Sequence, residues 1–157
     1  MSATQSNPAP GSSKKRLRLM LSYGGWEQEN FAEQLPRLLQ PQGIDCLRVD
    51  SANEATDLLG SSPVHIAVVD LRIPFDQGQA EPAGQRVLQL LRRLEQPPPT
   101  VVVRARQATK RASARGLSTA LREGAFTVMD GPVKLEPMLE TLHRIVRRHY
   151  ANHWTAA

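Results

Sequence analysis

The chain has 157 residues and carries 20 Lys and Arg against 15 Asp and Glu, a net charge of +5 at pH 7. This length fits one domain with its own hydrophobic core, and the single cysteine excludes an internal disulfide bond and a cysteine-rich zinc site. Because no apolar run approaches the ~18 residues of a membrane span and no secretory signal is present, we expect a cytoplasmic protein without membrane contacts.

A tail and five strands are predicted in chain order. Residues 1–15 are rich in Ser, Pro, Ala and Gly and nearly lack large apolar side chains, so they should be disordered. Five short segments rich in Val, Ile and Leu are typical of buried strands: Leu17–Ser22, Ile44–Val49, Ile66–Asp70, Val101–Val103 and Phe126–Met129. The second segment is the most polar of the five, which suits an edge strand.

Helical patterns lie between these strands. The first, Glu27–Gln40, contains Pro36, which costs about 3 kcal/mol inside a helix, so we expect a kink or a helix start close to it. Residues Ser51–Glu54 form a capping box that opens a second helix. Helical spacing also follows Gly84 and is clearest in the last segment, whose apolar stripe comprises Leu135, Met138, Leu139, Leu142, Val146 and Tyr150.

The alternation of strands and helices predicts an α/β domain over residues 16–150, with a mostly parallel sheet covered on both faces and a short tail at 151–157. Asp70 ends the third strand, so its carboxylate lies at the carboxyl edge of that sheet. Ligands bind and chemistry takes place at this edge in open parallel sheets. Asp70 is therefore the leading candidate for a functional residue.

Three motifs follow the ends of the predicted strands. Residues 68–74 read Val-Val-Asp-Leu-Arg-Ile-Pro, Gly84 precedes a helical pattern, and Gly124-Ala125 is followed by Gly131-Pro132. Together they resemble the receiver domain of bacterial response regulators, which accepts a phosphoryl group from a histidine kinase. The resemblance implies a flavodoxin-like three-layer sandwich, with five helices around a five-stranded parallel sheet in the order 2-1-3-4-5.

The same resemblance makes Asp70 the phosphoacceptor and implies that Arg72 offers a backbone carbonyl to the site. In the family, Mg²⁺ is held by an acidic pair after strand one, and a Ser or Thr, an aromatic residue and a Lys before a Pro complete the pocket. In this sequence Gly24 and Gly25 stand in place of the acidic pair, and Arg104 stands in place of the Ser or Thr. Val128 stands in place of the aromatic residue, and Gly131, before Pro132, in place of the Lys. The candidate Mg²⁺ ligands are therefore Asp70 and, counting back along the first helix, Glu27. We expect weak Mg²⁺ binding, since this ion prefers several oxygen ligands.

Arg104 allows two interpretations. Its guanidinium could form a bidentate pair with Asp70 and replace both the metal and the lysine. Alternatively, it could point into solvent and leave the pocket without a cation.

Basic residues without any acid extend from 96 to 122. In receivers this region contacts partners, so the resemblance implies a surface for a sensor kinase or an effector protein, or a homodimer through helix four, strand five and helix five. The cations assigned to this surface are Arg106, Lys110, Arg111 and Arg115. A solvated helix without a partner explains the same charges. Nucleic acid is not expected, because no aromatic platform or DNA-binding motif accompanies them.

Three functions remain open at this point. The first is a receiver in two-component phosphorelay signalling with an atypical pocket, without enzyme activity and without an attached output domain. The second is a pseudo-receiver that acts as a scaffold independently of phosphorylation. The third is a cofactor-binding enzyme on a flavodoxin-like fold, for which Ser22-Tyr23-Gly24-Gly25 lacks the spacing of a phosphate-binding loop.

Overall fold

The structure, a computed structural model, describes residues 16–22, 31–76, 78, 81–105, 109–122 and 124–151. One sheet is built from five strands: β1 (Leu17–Ser22), β2 (Ile44–Val49), β3 (Ile66–Asp70), β4 (Thr100–Arg104) and β5 (Thr127–Asp130). The α-helices in this part of the chain are α1 (Phe31–Leu39), α2 (Ala52–Ser61), α3 (Gly84–Arg92), α4 (Lys110–Arg122) and α5 (Leu135–His149). The predicted tail over residues 1–15 and most of the one at 151–157 lie outside the described residues.

All strands are parallel, and their order is β2-β1-β3-β4-β5. This order confirms the predicted α/β fold and the edge position of β2. The first three strands have the predicted bounds, whereas β4 is longer by Thr100 and Arg104, and β5 is shifted by one residue so that it begins at Thr127 and ends at Asp130. Arg104 lies opposite Asp130 in the register of these two strands, so the ladder continues beyond the apolar run.

The sheet has a hydrophobic core on each face, because side chains along a strand alternate between the two faces. On one face Leu21 and Val68 pack with α1 and α5. On the other face Val69 and Val102 pack with α2 and α3. This alternation also decides on which face each residue at a strand end lies.

Helix α2 begins at its predicted N-cap, and α3 and α5 bury much of the apolar pattern that their spacing predicts. The Ser51 hydroxyl accepts a hydrogen bond from the Glu54 N–H at 3.1 Å, which confirms Ser51 as the N-cap of the predicted helix. The Glu54 carboxylate accepts from the N–H of Asp50 at 2.7 Å, one residue before the N-cap. Helix α3 buries Val87, Leu88 and Leu91. Helix α5 buries Met138, Leu142, Ile145 and Val146.

None of the helices in the described ranges has both the length and the apolar character that a bilayer span requires.

Pro36 lies inside α1, so the alternative of a helix that starts close to the proline is wrong. The reason is packing on both sides of the proline. Leu35 and Leu39 are fully buried, and each buried leucine contributes about 1.5–3 kcal/mol. Their burial is enough to offset the cost of about 3 kcal/mol that a proline imposes on a helix interior.

Candidate functional site

Asp70 ends β3 at the carboxyl edge of the sheet, and its side chain is fully buried. One carboxylate oxygen, Oδ1, accepts hydrogen bonds from the Arg72 backbone N–H at 2.8 Å and from its side-chain Nε at 3.2 Å. The other oxygen, Oδ2, accepts from Arg72 Nη2 at 3.1 Å. Arg72 therefore binds the carboxylate in a bidentate manner, which is the strong form of a charge-assisted hydrogen bond.

The pairing of Asp70 with Arg72 follows from the local backbone. A carboxylate that accepts the N–H two residues later forms an Asx turn, which reverses the chain just after a strand. This turn brings the Arg72 side chain back over the carboxylate. The Arg72 side chain stays 42% exposed, so the cation faces solvent while the anion is buried.

Ser22 supports Asp70 from the neighbouring strand. It ends β1, is fully buried, and its hydroxyl oxygen accepts the Asp70 backbone N–H at 2.6 Å. A buried N–H without an acceptor costs about 1–3 kcal/mol. Ser22 thus fixes the end of β3 from the position where the phosphate-binding loop was considered; the other three residues of that loop lie outside the described part of the chain.

The donor set in the described residues does not fit a Mg²⁺ ion. Both Asp70 oxygens already bind a guanidinium, and the part of the chain described by the structure contains no group of three or more His, Cys, Asp or Glu that could hold a metal. Glu27, the other ligand of the Mg²⁺ prediction, lies outside the described residues. Arg72 contacts Asp70 through its backbone N–H and its guanidinium, and the role of its carbonyl at the site stays a prediction.

The predicted pair between Arg104 and Asp70 is wrong. Asp70 lies opposite Val103 in the parallel register, so Arg104 is one residue further along β4. Because successive side chains point to opposite faces, Arg104 lies on the face of α2 and α3, and Asp70 lies on the face of α1 and α5. The alternative interpretation, an arginine in solvent, is wrong as well, since Arg104 is 7% exposed.

Arg104 instead binds the residue opposite it and a helix above it. Its Nε donates to Oδ1 of Asp130, at the end of β5. Its Nη2 donates to the Ser113 hydroxyl in α4 at 2.9 Å. The sequence analysis identified neither Asp130 nor Ser113. The alternation of side chains along β4, together with the carboxylate at the end of β5, could have indicated Asp130.

Gly131 and Pro132 lie next to this second pair. The Gly131 N–H donates to the Arg104 carbonyl at 2.7 Å, and the peptide bond between Gly131 and Pro132 is cis. The structure thus brings Arg104 and Gly131 together through the backbone.

The predicted partner surface is exposed where the structure describes it. Lys110, Arg111 and Arg115 are exposed along α4, and Arg106 lies outside the described residues. Leu117 and Leu121 on the same helix are 38% and 47% exposed. This helix therefore presents an apolar pair beside its cations.

The chain resembles known proteins in its fold. No protein-family model matches the chain, and no curated protein matches it. Several solved structures do. A two-component response regulator from Clostridium difficile is 16% identical with a TM-score of 0.66, covering 86% of this chain and 99% of that one.

Two further solved structures show the same likeness. The receiver domain of the Francisella response regulator 1452 is 16% identical with a TM-score of 0.65, covering 85% of this chain and 98% of that one. The non-phosphorylated HemR receiver domain from Leptospira biflexa is 21% identical with a TM-score of 0.62, covering 83% and 94%. The chain therefore has the flavodoxin-like fold of response regulator receiver domains.

Proposed function

We propose that the chain is a receiver module of two-component signalling in the cytoplasm, with Asp70 as its phosphoacceptor. The observation that carries this proposal is the Asp70 carboxylate, which ends β3 at the carboxyl edge and binds a guanidinium through both oxygens. A phosphoryl group at this position needs neutralisation of its charge and correct positioning. The Arg72 guanidinium is the cation available for that purpose among the described residues around Asp70.

The proposed reaction is transfer from a phosphohistidine of a sensor kinase. An Asp70 carboxylate oxygen attacks phosphorus and forms a P–O bond, the P–N bond of the donor breaks, and the leaving imidazole takes up a proton. The Arg72 guanidinium must first rotate away from the attacking oxygen. Its partial exposure allows that movement, and it can then pair with the phosphoryl oxygens.

A second candidate is the scaffold that works without phosphorylation. The observation in its favour is the same pair, because Asp70 is fully buried and both oxygens are already engaged. In this case Arg72, and not Arg104, would keep the site closed.

For either function we propose α4 as the surface that contacts the protein partner, a sensor kinase or an effector. Its exposed cations and its two exposed leucines suit an acidic and partly apolar surface. An association of two copies through α4, β5 and α5 would use the same helix.

The test is phosphorylation by a small-molecule donor. The full chain is incubated with acetyl phosphate or phosphoramidate, with and without Mg²⁺, and its intact mass is measured; Asp70→Asn is the control. We expect the wild type, and not the control, to gain the mass of one phosphoryl group.

Beryllofluoride provides a second measurement, since it mimics the phosphoryl group without a reaction. Amide chemical shifts should change around Asp70 and Arg72 in the wild type and stay constant in Asp70→Asn. A wild type that neither gains mass nor shows shifts, with and without Mg²⁺, overturns the phosphoacceptor proposal and leaves the scaffold.

A further inference from the structure

Helix α4 is attached to the domain with little apolar packing. Each of its residues with a described environment is exposed or only partly buried, and none of these residues belongs to either core cluster. By contrast, α3 buries Val87, Leu88 and Leu91 against the same face of the sheet. Apolar burial is the main source of helix docking in a folded protein, so α4 needs another attachment.

Arg104 supplies that attachment. Its side chain is 8% exposed, and it extends from the end of β4 to two different elements. The guanidinium binds Asp130 on β5 through Nε and Ser113 on α4 through Nη2. A hydrogen bond with an ionised partner is roughly twice as strong as a neutral one, and burial strengthens it further.

Gly116 explains how the guanidinium fits beneath the helix. A Cβ at this position would lie 2.4 Å from Arg104 Nη1, closer than a carbon and a nitrogen can approach. The same Nη1 is buried and has no acceptor among the described residues. A glycine in a helix interior costs about 0.5–1 kcal/mol relative to alanine, so the sequence accepts a weaker helix at the point where the guanidinium lies against it.

We propose that Arg104 is the positioning residue of α4, and that Arg104, Asp130, Ser113 and Gly116 form a clasp that holds this helix on the sheet. Opening the clasp releases α4 while both core clusters stay packed. This inference goes beyond the proposed function, because the clasp exists whether or not Asp70 accepts a phosphoryl group.

The test is amide hydrogen exchange of α4 in the full chain, measured by mass spectrometry for Gly116→Ala and Gly60→Ala. Gly60 lies in α2, where an added Cβ has nothing within 4 Å. Alanine is the better helix former, so Gly60→Ala should slow the exchange of α2. The clasp predicts the opposite sign at Gly116. The methyl group forces the end of the Arg104 side chain to shift and weakens its bonds to Ser113 and Asp130, so exchange in α4 should be faster by about tenfold.

Two readouts separate a clasp from a general loss of stability. Exchange of the β1 and β3 amides should be unchanged in Gly116→Ala, because both core clusters remain packed. Ser113→Ala, which removes one acceptor and adds no atom, should also speed exchange in α4 alone. Slower or unchanged exchange of α4 in Gly116→Ala overturns the inference, and so does equal acceleration in β1 and β3.

Discussion

At the scale of single residues, the carboxyl edge of the sheet contains two arginine–aspartate pairs on opposite faces. Arg72 binds Asp70 across a turn of two residues, and Arg104 binds Asp130 across neighbouring strands. In the first pair the carboxylate is buried and the cation is exposed, and in the second pair the exposures are reversed. The first pair can therefore open to a ligand from solvent, whereas the second links elements of the fold.

The first pair predicts an asymmetric effect on stability. In Arg72→Met the buried Asp70 carboxylate loses its cation, so the free energy of unfolding should fall by about 2 kcal/mol at pH 7. Arg16→Met is the matched control, because it removes an ion pair with Asp45 in which both side chains are more than 40% exposed. Such a pair contributes less than about 1 kcal/mol. Urea denaturation of both variants measures the difference, and equal losses would contradict the assigned role of Arg72.

The sequence located Asp70 because a lone carboxylate ended an apolar run, but it did not reveal the partner of Asp70. The partner is Arg72, which a turn of two residues brings over the carboxylate, whereas the register between β3 and β4 keeps Arg104 away, since Asp70 lies opposite Val103. A shift of one residue would have placed Arg104 on the Asp70 face. Register depends on contacts between distant segments, so a reading of local pattern could not decide it.

At the scale of elements, α3 approaches the site more closely than any side chain would allow. A Cβ on Gly84 would lie 2.3 Å from the Leu71 Cα and 2.9 Å from the Asp70 carbonyl oxygen. These are backbone atoms, which cannot move aside as a flexible side chain can. The glycine that resembles the start of the third helix in receivers is thus required by packing next to Asp70.

Gly84→Ala should therefore lower the free energy of unfolding by about 2 kcal/mol, as overpacking of a close contact does. Gly60→Ala, in open space on α2, should leave stability equal or raise it by up to about 1 kcal/mol. Urea denaturation gives both values, and amide spectra should show the shifts of Gly84→Ala concentrated around residues 70–73. An unchanged stability in Gly84→Ala would mean that α3 adjusts without cost.

The elements themselves were predictable to different degrees. β1, β2 and β3 have the predicted bounds because turn or polar residues follow their apolar runs. In α5, Met138, Leu142 and Val146 of the predicted stripe are buried, and its other members, Leu135, Leu139 and Tyr150, pack partly buried against the same core. In α1 the burial of Leu35 and Leu39 offsets the cost of Pro36 in the helix. Helix propensity alone does not predict this, because it takes no account of burial. The attachment of α4 could not be predicted, since it rests on one arginine contacting a helix nine residues away.

At the scale of the whole molecule, the domain has an apolar core on each side of one sheet, and polar side chains lie at the edges of that sheet. At the start of β3, the Tyr150 hydroxyl donates to the His65 carbonyl at 2.6 Å and ties the end of α5 to the sheet. On the edge strand β2, Cys46 packs partly against the core on the side of α1 and α5. The Cys46 thiol and the Tyr150 phenol are uncharged when protonated, and both are partly buried. Their ionisation at high pH therefore lowers the stability of the fold.

The domain should lose stability at alkaline pH. Burial, with a smaller contribution from the charge of Asp45, raises the pKa of the Cys46 thiol from 9.0 to about 12, and burial also raises the pKa of Tyr150 above 10.0. Below pH 9 the thiol is protonated in both states and adds no pH dependence. Between pH 9 and about 12 the unfolded chain loses the proton that the folded chain keeps, so stability falls as pH rises, by at most ~1.4 kcal/mol per pH unit.

Cys46→Ala should remove the part of this slope that begins at pH 9, and Tyr150→Phe only a part that begins above pH 10. Urea denaturation at pH 8, 9, 10 and 10.5 separates the two contributions. At pH 8 Cys46→Ala is expected to be somewhat less stable than the wild type, because it buries less apolar surface. The difference should shrink as pH rises, since only the wild type must keep a thiol protonated in order to fold. Parallel curves for the wild type and Cys46→Ala would show that the thiol ionises equally in both states.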